Sequence, residues 1–156
     1  MTSAAEVIAA ARAAGQKITT AESCTGGLLA AALTDISGAS KVFDRGFVTY
    51  SYESKPSMLG IRSETIEAHG AVSAEAVAQM AAGALAHSDA DIAVAITGIA
   101  GPVEGSSKPE GRVWFAISTV AGVKTTVREF GAIGRAKVRQ ASVEQALTLL
   151  LGAIKR

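Results

Sequence analysis

Four consecutive residues, Glu22, Ser23, Cys24 and Thr25, set a carboxylate, two hydroxyls and a thiol side by side, and Gly26 and Gly27 follow directly. The residues before them, Lys17-Ile18-Thr19-Thr20, favour a strand, and Leu28-Leu29 after them opens an apolar helical run. In an open α/β sheet such a junction is where ligands bind, because helix N-terminal N–H groups and the helix dipole point out beyond the strand's carboxyl end. Glycines there let the backbone approach a ligand closely. The same residues also suit a plain helix N-cap, with Ser23 or Thr25 starting the helix.

Three other stretches carry polar groups that could converge on this junction: Ser40-Lys41, Tyr50 to Lys55, and Thr97 to Gly111. Thr97-Gly98-Ile99-Ala100-Gly101-Pro102 follows an apolar run, and its glycines can cradle a phosphate through backbone N–H groups. It is not a P-loop, since no Gly-Lys-Ser/Thr triplet occurs, and its spacing does not fit the dinucleotide fingerprint. Metal chemistry finds little support: His69 and His87 stand alone, and Cys24 has no partner cysteine. That scarcity, with the lack of a Gly-x-Ser-x-Gly elbow, argues against a Ser-His-Asp hydrolase. If a serine is activated, the available base is a lysine. Cys24 is either a nucleophile with a lowered pKa or a small buried residue.

These residues need a scaffold, and 156 of them suffice for one domain with a real core. Hydrophobic residues make up 49% and aromatics 4%, which describes a core of Ala, Val, Ile and Leu. No apolar run is long enough to span a membrane, and a net charge of +1 with mixed signs offers no stripe for nucleic acid. A lone cysteine and a start without a signal peptide point to the cytoplasm. Periodicity predicts a helix over residues 4–14 stopped by Gly15, a strand at 17–20, a helix at 25–34 and a strand at 43–51. A short helix carrying Lys55 follows, then a helical turn at 63–68 and a helix from Ser73 to about His87. Ile92-Ala93-Val94-Ala95-Ile96 is apolar at every position and reads as a central strand covered on both faces. Strands at 112–120 and 124–130 are joined too tightly for anything but an antiparallel hairpin, so the sheet is mixed. A last helix begins at Arg135.

Taken together, Thr20-Ala21-Glu22-Ser23-Cys24-Thr25-Gly26-Gly27, Gly46-Phe47-Val48-Thr49-Tyr50-Ser51, Lys55, His69-Gly70-Ala71-Val72-Ser73 and Thr97-Gly98-Ile99-Ala100-Gly101-Pro102 with Lys108-Pro109 closely resemble the CinA C-terminal domain family. The resemblance runs from the first helix to the last, as a single domain over residues 1–156. The N-terminal domain of full-length CinA proteins has no counterpart in it. It implies a three-layer α/β/α sandwich with a mixed, mostly parallel sheet including an antiparallel hairpin. The implied activity is hydrolysis of the carboxamide of nicotinamide mononucleotide to nicotinate mononucleotide and ammonia, in pyridine nucleotide recycling. No metal or organic cofactor is implied, and the implied assembly is a homodimer.

Carried over residue by residue, the resemblance suggests Ser40 as nucleophile and Lys55 as its general base, with Ser23, Tyr50 and Thr97 completing the site. Glu22, Thr25, Gly26, Gly98, Gly101 and Arg135 become substrate-binding positions, Arg135 suiting a phosphate. The sharp strand-to-helix turn nominates Ser23 as nucleophile instead, so both serines stand. The loop departs from the family pattern at Val103-Glu104 and at Lys108-Pro109-Glu110-Gly111. Two rival readings follow: a non-catalytic nucleotide-binding or regulatory module, and a deamidase of another pyridine compound such as free nicotinamide.

Overall fold

A computed structural model of the chain describes residues 1–154. The chain enters through helix α1 (Ala4–Ala14), whose start is fixed by reciprocal capping: Ser3 Oγ accepts from the Glu6 N–H, and the Glu6 carboxylate accepts from the Ser3 N–H. Gly15 ends it in the left-handed conformation. Strand β1 (Ile18–Glu22) follows, then α2 (Leu28–Thr34), a 3₁₀ turn at Ala39–Lys41, β2 (Phe43–Val48), α3 (Ser54–Leu59), α4 (Ser63–His69) and α5 (Ala74–Ala86). The chain continues through β3 (Ile92–Gly98), the hairpin β4 (Arg112–Thr119) and β5 (Gly122–Glu129), and α6 (Arg135–Ala153).

The five strands form one sheet in the order β2-β1-β3-β4-β5. β1 pairs parallel with β2 and β3, while β4 and β5 run antiparallel, as a hairpin requires. β3 shows why both faces are covered. Its Ile92, Val94 and Ile96 side chains pack with residues of α1, α2 and α6, including Leu29, Leu33, Val138 and Leu150. Its Ala93 and Ala95 face Val77, Met80 and Ala81 of α5, together with Leu59 and Ile61. Large residues on one face and alanines on the other let α5 lie close to the sheet. Burying each Ile or Val contributes about 1.5–3 kcal/mol, so the strand is anchored mainly from the α1/α2/α6 side.

Close packing also sets α3. A Cβ on Gly83 of α5 would fall 2.0 Å from the Leu59 carbonyl oxygen, so the two backbones touch. The helix that carries Lys55 is thereby held against the body of the fold.

Element boundaries depart from the sequence expectations in three places that matter for the site. β1 runs on to Glu22, because all five of its residues are buried and continue the pairing to β2 and β3. α2 starts at Leu28 rather than near Thr25, since Gly26 and Gly27 take φ of +58° and +106°, which breaks helical geometry. β2 stops at Val48 rather than Ser51; beyond it the carbonyls of Thr49 and Ser51 turn to the Lys55 ammonium. Among the described residues no helix is long and apolar enough to cross a membrane.

Candidate active site

The three parallel strands end on the same edge of the sheet, so the loops after β1, β2 and β3 meet there. They surround a cleft of ≈ 560 Å³ lined by Ser23, Cys24, Tyr50, Lys55, Thr97, Gly98, Gly101, Lys108 and Arg135, among others. That is room for a nucleotide-sized ligand.

At its base Lys55, only 2% exposed, directs Nζ to Ser23 Oγ at 3.1 Å, to the Thr49 carbonyl at 2.7 Å and to the Ser51 carbonyl at 3.5 Å. Among the described residues its partners are a hydroxyl and two carbonyls, and no carboxylate. Desolvation therefore pushes its pKa below the ordinary 10.5, offset in small part by the neighbouring Cys24. A lysine so placed reaches its neutral, proton-accepting form at lower pH than a surface lysine does. The serine it faces is 9% exposed and opens on the cleft.

The turn presenting Ser23 is braced from two sides. Glu22, fully buried, accepts the Leu29 N–H at 2.9 Å and the Ala30 N–H at 3.1 Å. Its carboxylate thus satisfies the helix start where Gly27, the N-cap, offers no side chain. From α6, Arg139 donates to the Cys24 carbonyl at 3.1 Å and the Thr25 carbonyl at 3.2 Å. Cys24 between them has its thiol pKa raised to about 11, chiefly by burial, so the thiol is protonated at neutral pH and is no nucleophile there.

The opposite wall is the loop after β3. Lys108 closes it onto the end of α4 by donating to the carbonyls of His69, at 2.9 Å, and Val72. Burial and then the nearby Arg112 lower the Lys108 pKa. Thr97 donates to the Ala71 carbonyl at 2.9 Å, which ties the end of β3 to the same segment. Arg135, the first residue of α6, lies against Gly101, where a Cβ would come 3.0 Å from its Nη2. Glycine at 101 leaves the guanidinium its place. Tyr50 and Tyr52, 63% and 66% exposed, form the rim.

Of the residues singled out from sequence, Ser23, Tyr50, Lys55, Thr97, Gly98, Gly101 and Arg135 come together here. Glu22, Thr25 and Gly26 do not line the cleft: Glu22 is spent on α2, Thr25 is buried behind the turn, and Gly26 lies beside Arg139. Ser40 is exposed on the 3₁₀ turn and lines a separate depression with Ile36 and Phe43. Phe43 pairs with Ile18 at the start of β1, whereas Ser23 follows its end, so the two serines sit at opposite edges of the sheet. The intervening strand alone spans about 13 Å. Within one chain the serine that meets Lys55 is Ser23, as the turn geometry suggested, and not Ser40. The roles of Glu22 and Arg139 escaped the sequence reading. The second had a signal: Arg135 and Arg139 are one turn apart at the start of a helix, hence on one face. No group of three or more His, Cys, Asp or Glu side chains fit to hold a metal occurs among the described residues.

A family model of the CinA C-terminal domain matches residues 1–154. The chain belongs to that family. It is 52% identical over 142 residues to the nicotinamide-nucleotide amidohydrolase PncC of Escherichia coli K12, covering 90% of this chain and 86% of that one. A protein of the same name from Enterobacter agglomerans is 48% identical over 152 residues, covering 96% and 93%. Among CinA-family structures, the competence damage-inducible protein A of Klebsiella pneumoniae superimposes with a TM-score of 0.92 at 42% identity, over 96% of this chain and 93% of that one. A competence/damage-inducible protein of Agrobacterium tumefaciens gives 0.87 at 47% identity, over 94% of each.

Proposed function

We propose that this protein hydrolyses the carboxamide of nicotinamide mononucleotide, with Ser23 as nucleophile and Lys55 as general base. The observation that carries the reading is the buried Lys55, without an ion-pair partner among the described residues, with Nζ 3.1 Å from Ser23 Oγ in an open cleft. The amidohydrolase names of its half-identical relatives support the substrate.

The chemistry follows from the groups present. Neutral Lys55 takes the Ser23 proton as Oγ bonds to the carboxamide carbon, and backbone N–H groups of the glycine-containing loops are the donors we assign to the oxyanion. The C–N bond then breaks, Lys55 returns the proton to the departing nitrogen, and ammonia leaves. Water, deprotonated by the same lysine, cleaves the ester to the carboxylic acid and restores Ser23. The substrate's pyridinium ring suits this site twice. Its positive charge favours a neutral lysine beside it, and the faces of Tyr50 or Tyr52 can hold it by cation–π attraction. Arg135 and Lys108 then supply positive charge for the phosphate.

Ammonia release from nicotinamide mononucleotide by the purified protein, without added metal and with a chelator present, tests the proposal. No ammonia across a range of pH and substrate concentration would defeat it. Calorimetry showing tight binding without turnover would favour a non-catalytic nucleotide-binding module instead.

A further inference from the structure

We infer that Arg139 is a positioning residue whose guanidinium holds the β1–α2 turn so that Ser23 stays in line with Lys55. The inference rests on the Ser23–Lys55 reading above. The turn needs bracing from outside: Gly26 and Gly27 both adopt left-handed φ, and the N-cap Gly27 has no side chain, so Glu22 holds the helix side of the turn through the Leu29 and Ala30 N–H groups. Local bonds hold part of it, with the Gly26 N–H donating to the Ser23 carbonyl and the Leu28 N–H to the Thr25 carbonyl. The Cys24 carbonyl receives its hydrogen bond from Arg139 Nε, and the Thr25 carbonyl is shared with Nη2. Because each peptide unit is planar, fixing those two oxygens fixes two successive peptide planes, Cys24–Thr25 and Thr25–Gly26, which begin one residue after Ser23.

The clamp comes from distant sequence. Arg139 stands 115 residues after Cys24 and half-buried on α6, while the guanidinium rests 3.5 Å from where a Gly26 Cβ would be. Val138 and Ser142 beside it are buried in the same helix, so the arginine's base does not move. Its planar fork reaches two carbonyls at once, which a lysine ammonium does poorly. Arg135, one turn earlier, faces the cleft; α6 thus brings one arginine to the cleft and one to the nucleophile's turn.

Cys24 is the chain's single cysteine and lies inside the clamped turn, so its thiol reports on the turn without reference to catalysis. In R139A, labelling by 5,5′-dithiobis(2-nitrobenzoate) at pH 8 is expected to accelerate at least ~10-fold as the turn opens. Loss of the arginine's charge alone acts the other way, since that charge favours the thiolate. Acceleration therefore reports opening and not electrostatics. Labelling that is unchanged or slower in a cooperatively folded R139A would overturn the inference; should R139A not fold, R139K is read the same way.

In the deamidase assay, R139A is expected to lose roughly 10–100-fold in kcat with KM changed less than about twofold, the signature of a displaced nucleophile. R139K should recover only part, and millimolar guanidinium ion should partly rescue R139A. An unchanged kcat would count against the inference. If the wild-type protein releases no ammonia, the deamidase reading fails, and the thiol measurement still decides the role of Arg139.

Discussion

Replacing Lys55 with arginine separates proton transfer from charge at the centre of the site. The lysine's Nζ lies 3.1 Å from Ser23 Oγ and 2.7 Å from the Thr49 carbonyl, so a guanidinium introduced there can still donate hydrogen bonds and carry charge. It cannot accept a proton at neutral pH. A lost general base costs about 10²–10⁴ in rate, equivalent to roughly 2.7–5.4 kcal/mol of transition-state stabilisation. Lys55→Arg should therefore lose turnover on that scale in an ammonia-release assay. Lys55→Met, which fills a similar volume without charge, should lose as much, and thermal unfolding would confirm that both variants fold. In the wild type, desolvation lowers the Lys55 pKa, so turnover should rise with pH along one ionisation with its midpoint below 10.5. Stability should move in the same direction. Between the lowered folded-state pKa and the unfolded value near 10.5, the unfolded chain binds the proton and the folded one does not, so wild-type stability relative to Lys55→Met increases as pH climbs through that window. Near-normal turnover in Lys55→Arg would refute the general-base assignment and leave Lys55 an electrostatic part.

Three further outcomes follow from the same geometry. Cys24→Ala should keep kcat within about twofold in the deamidase assay, because a buried thiol with a pKa of about 11 stays protonated at neutral pH. Arg135→Ala should raise KM for nicotinamide mononucleotide by roughly 10–100-fold, the worth of a charged hydrogen bond, and leave turnover of the unphosphorylated riboside unchanged; competition assays with bare nicotinamide would show the same insensitivity. Gly83→Ala should lower the unfolding temperature by about 6–12 °C, from an overpacking cost of ~3 kcal/mol, because its Cβ would press 2.0 Å from the Leu59 carbonyl oxygen.

Much of the fold was legible because its signals are local. The helix start at Ser73, the left-handed stop at Gly15 and the all-apolar run from Ile92 each act within a few residues. The hairpin's short connection dictated antiparallel pairing and with it a mixed sheet. In the site, parallel strands ending in polar loops pointed to one sheet edge, where Ser23, Tyr50, Lys55 and Thr97 meet. The illegible part depends on contacts between remote residues. Glu22 has the look of a substrate ligand until α2 begins three residues late and leaves two N–H groups for its carboxylate to take. Ser40 shares a polar stretch with Lys41, but it precedes β2 instead of following it, so the chain's direction sends it to the opposite edge from Lys55. Arg139 acts on a turn 115 residues away, and helical spacing from Arg135 could suggest its face but not its target.

Turnover of Ser23→Ala and Ser40→Ala, measured side by side with nicotinamide mononucleotide, tests the central pairing of Ser23 with Lys55 most directly. Ser23→Ala should lose ~10³-fold or more in kcat, as expected for a missing nucleophile, while the exposed, remote Ser40→Ala stays close to wild type. An inactive Ser40→Ala beside an active Ser23→Ala would contradict the account.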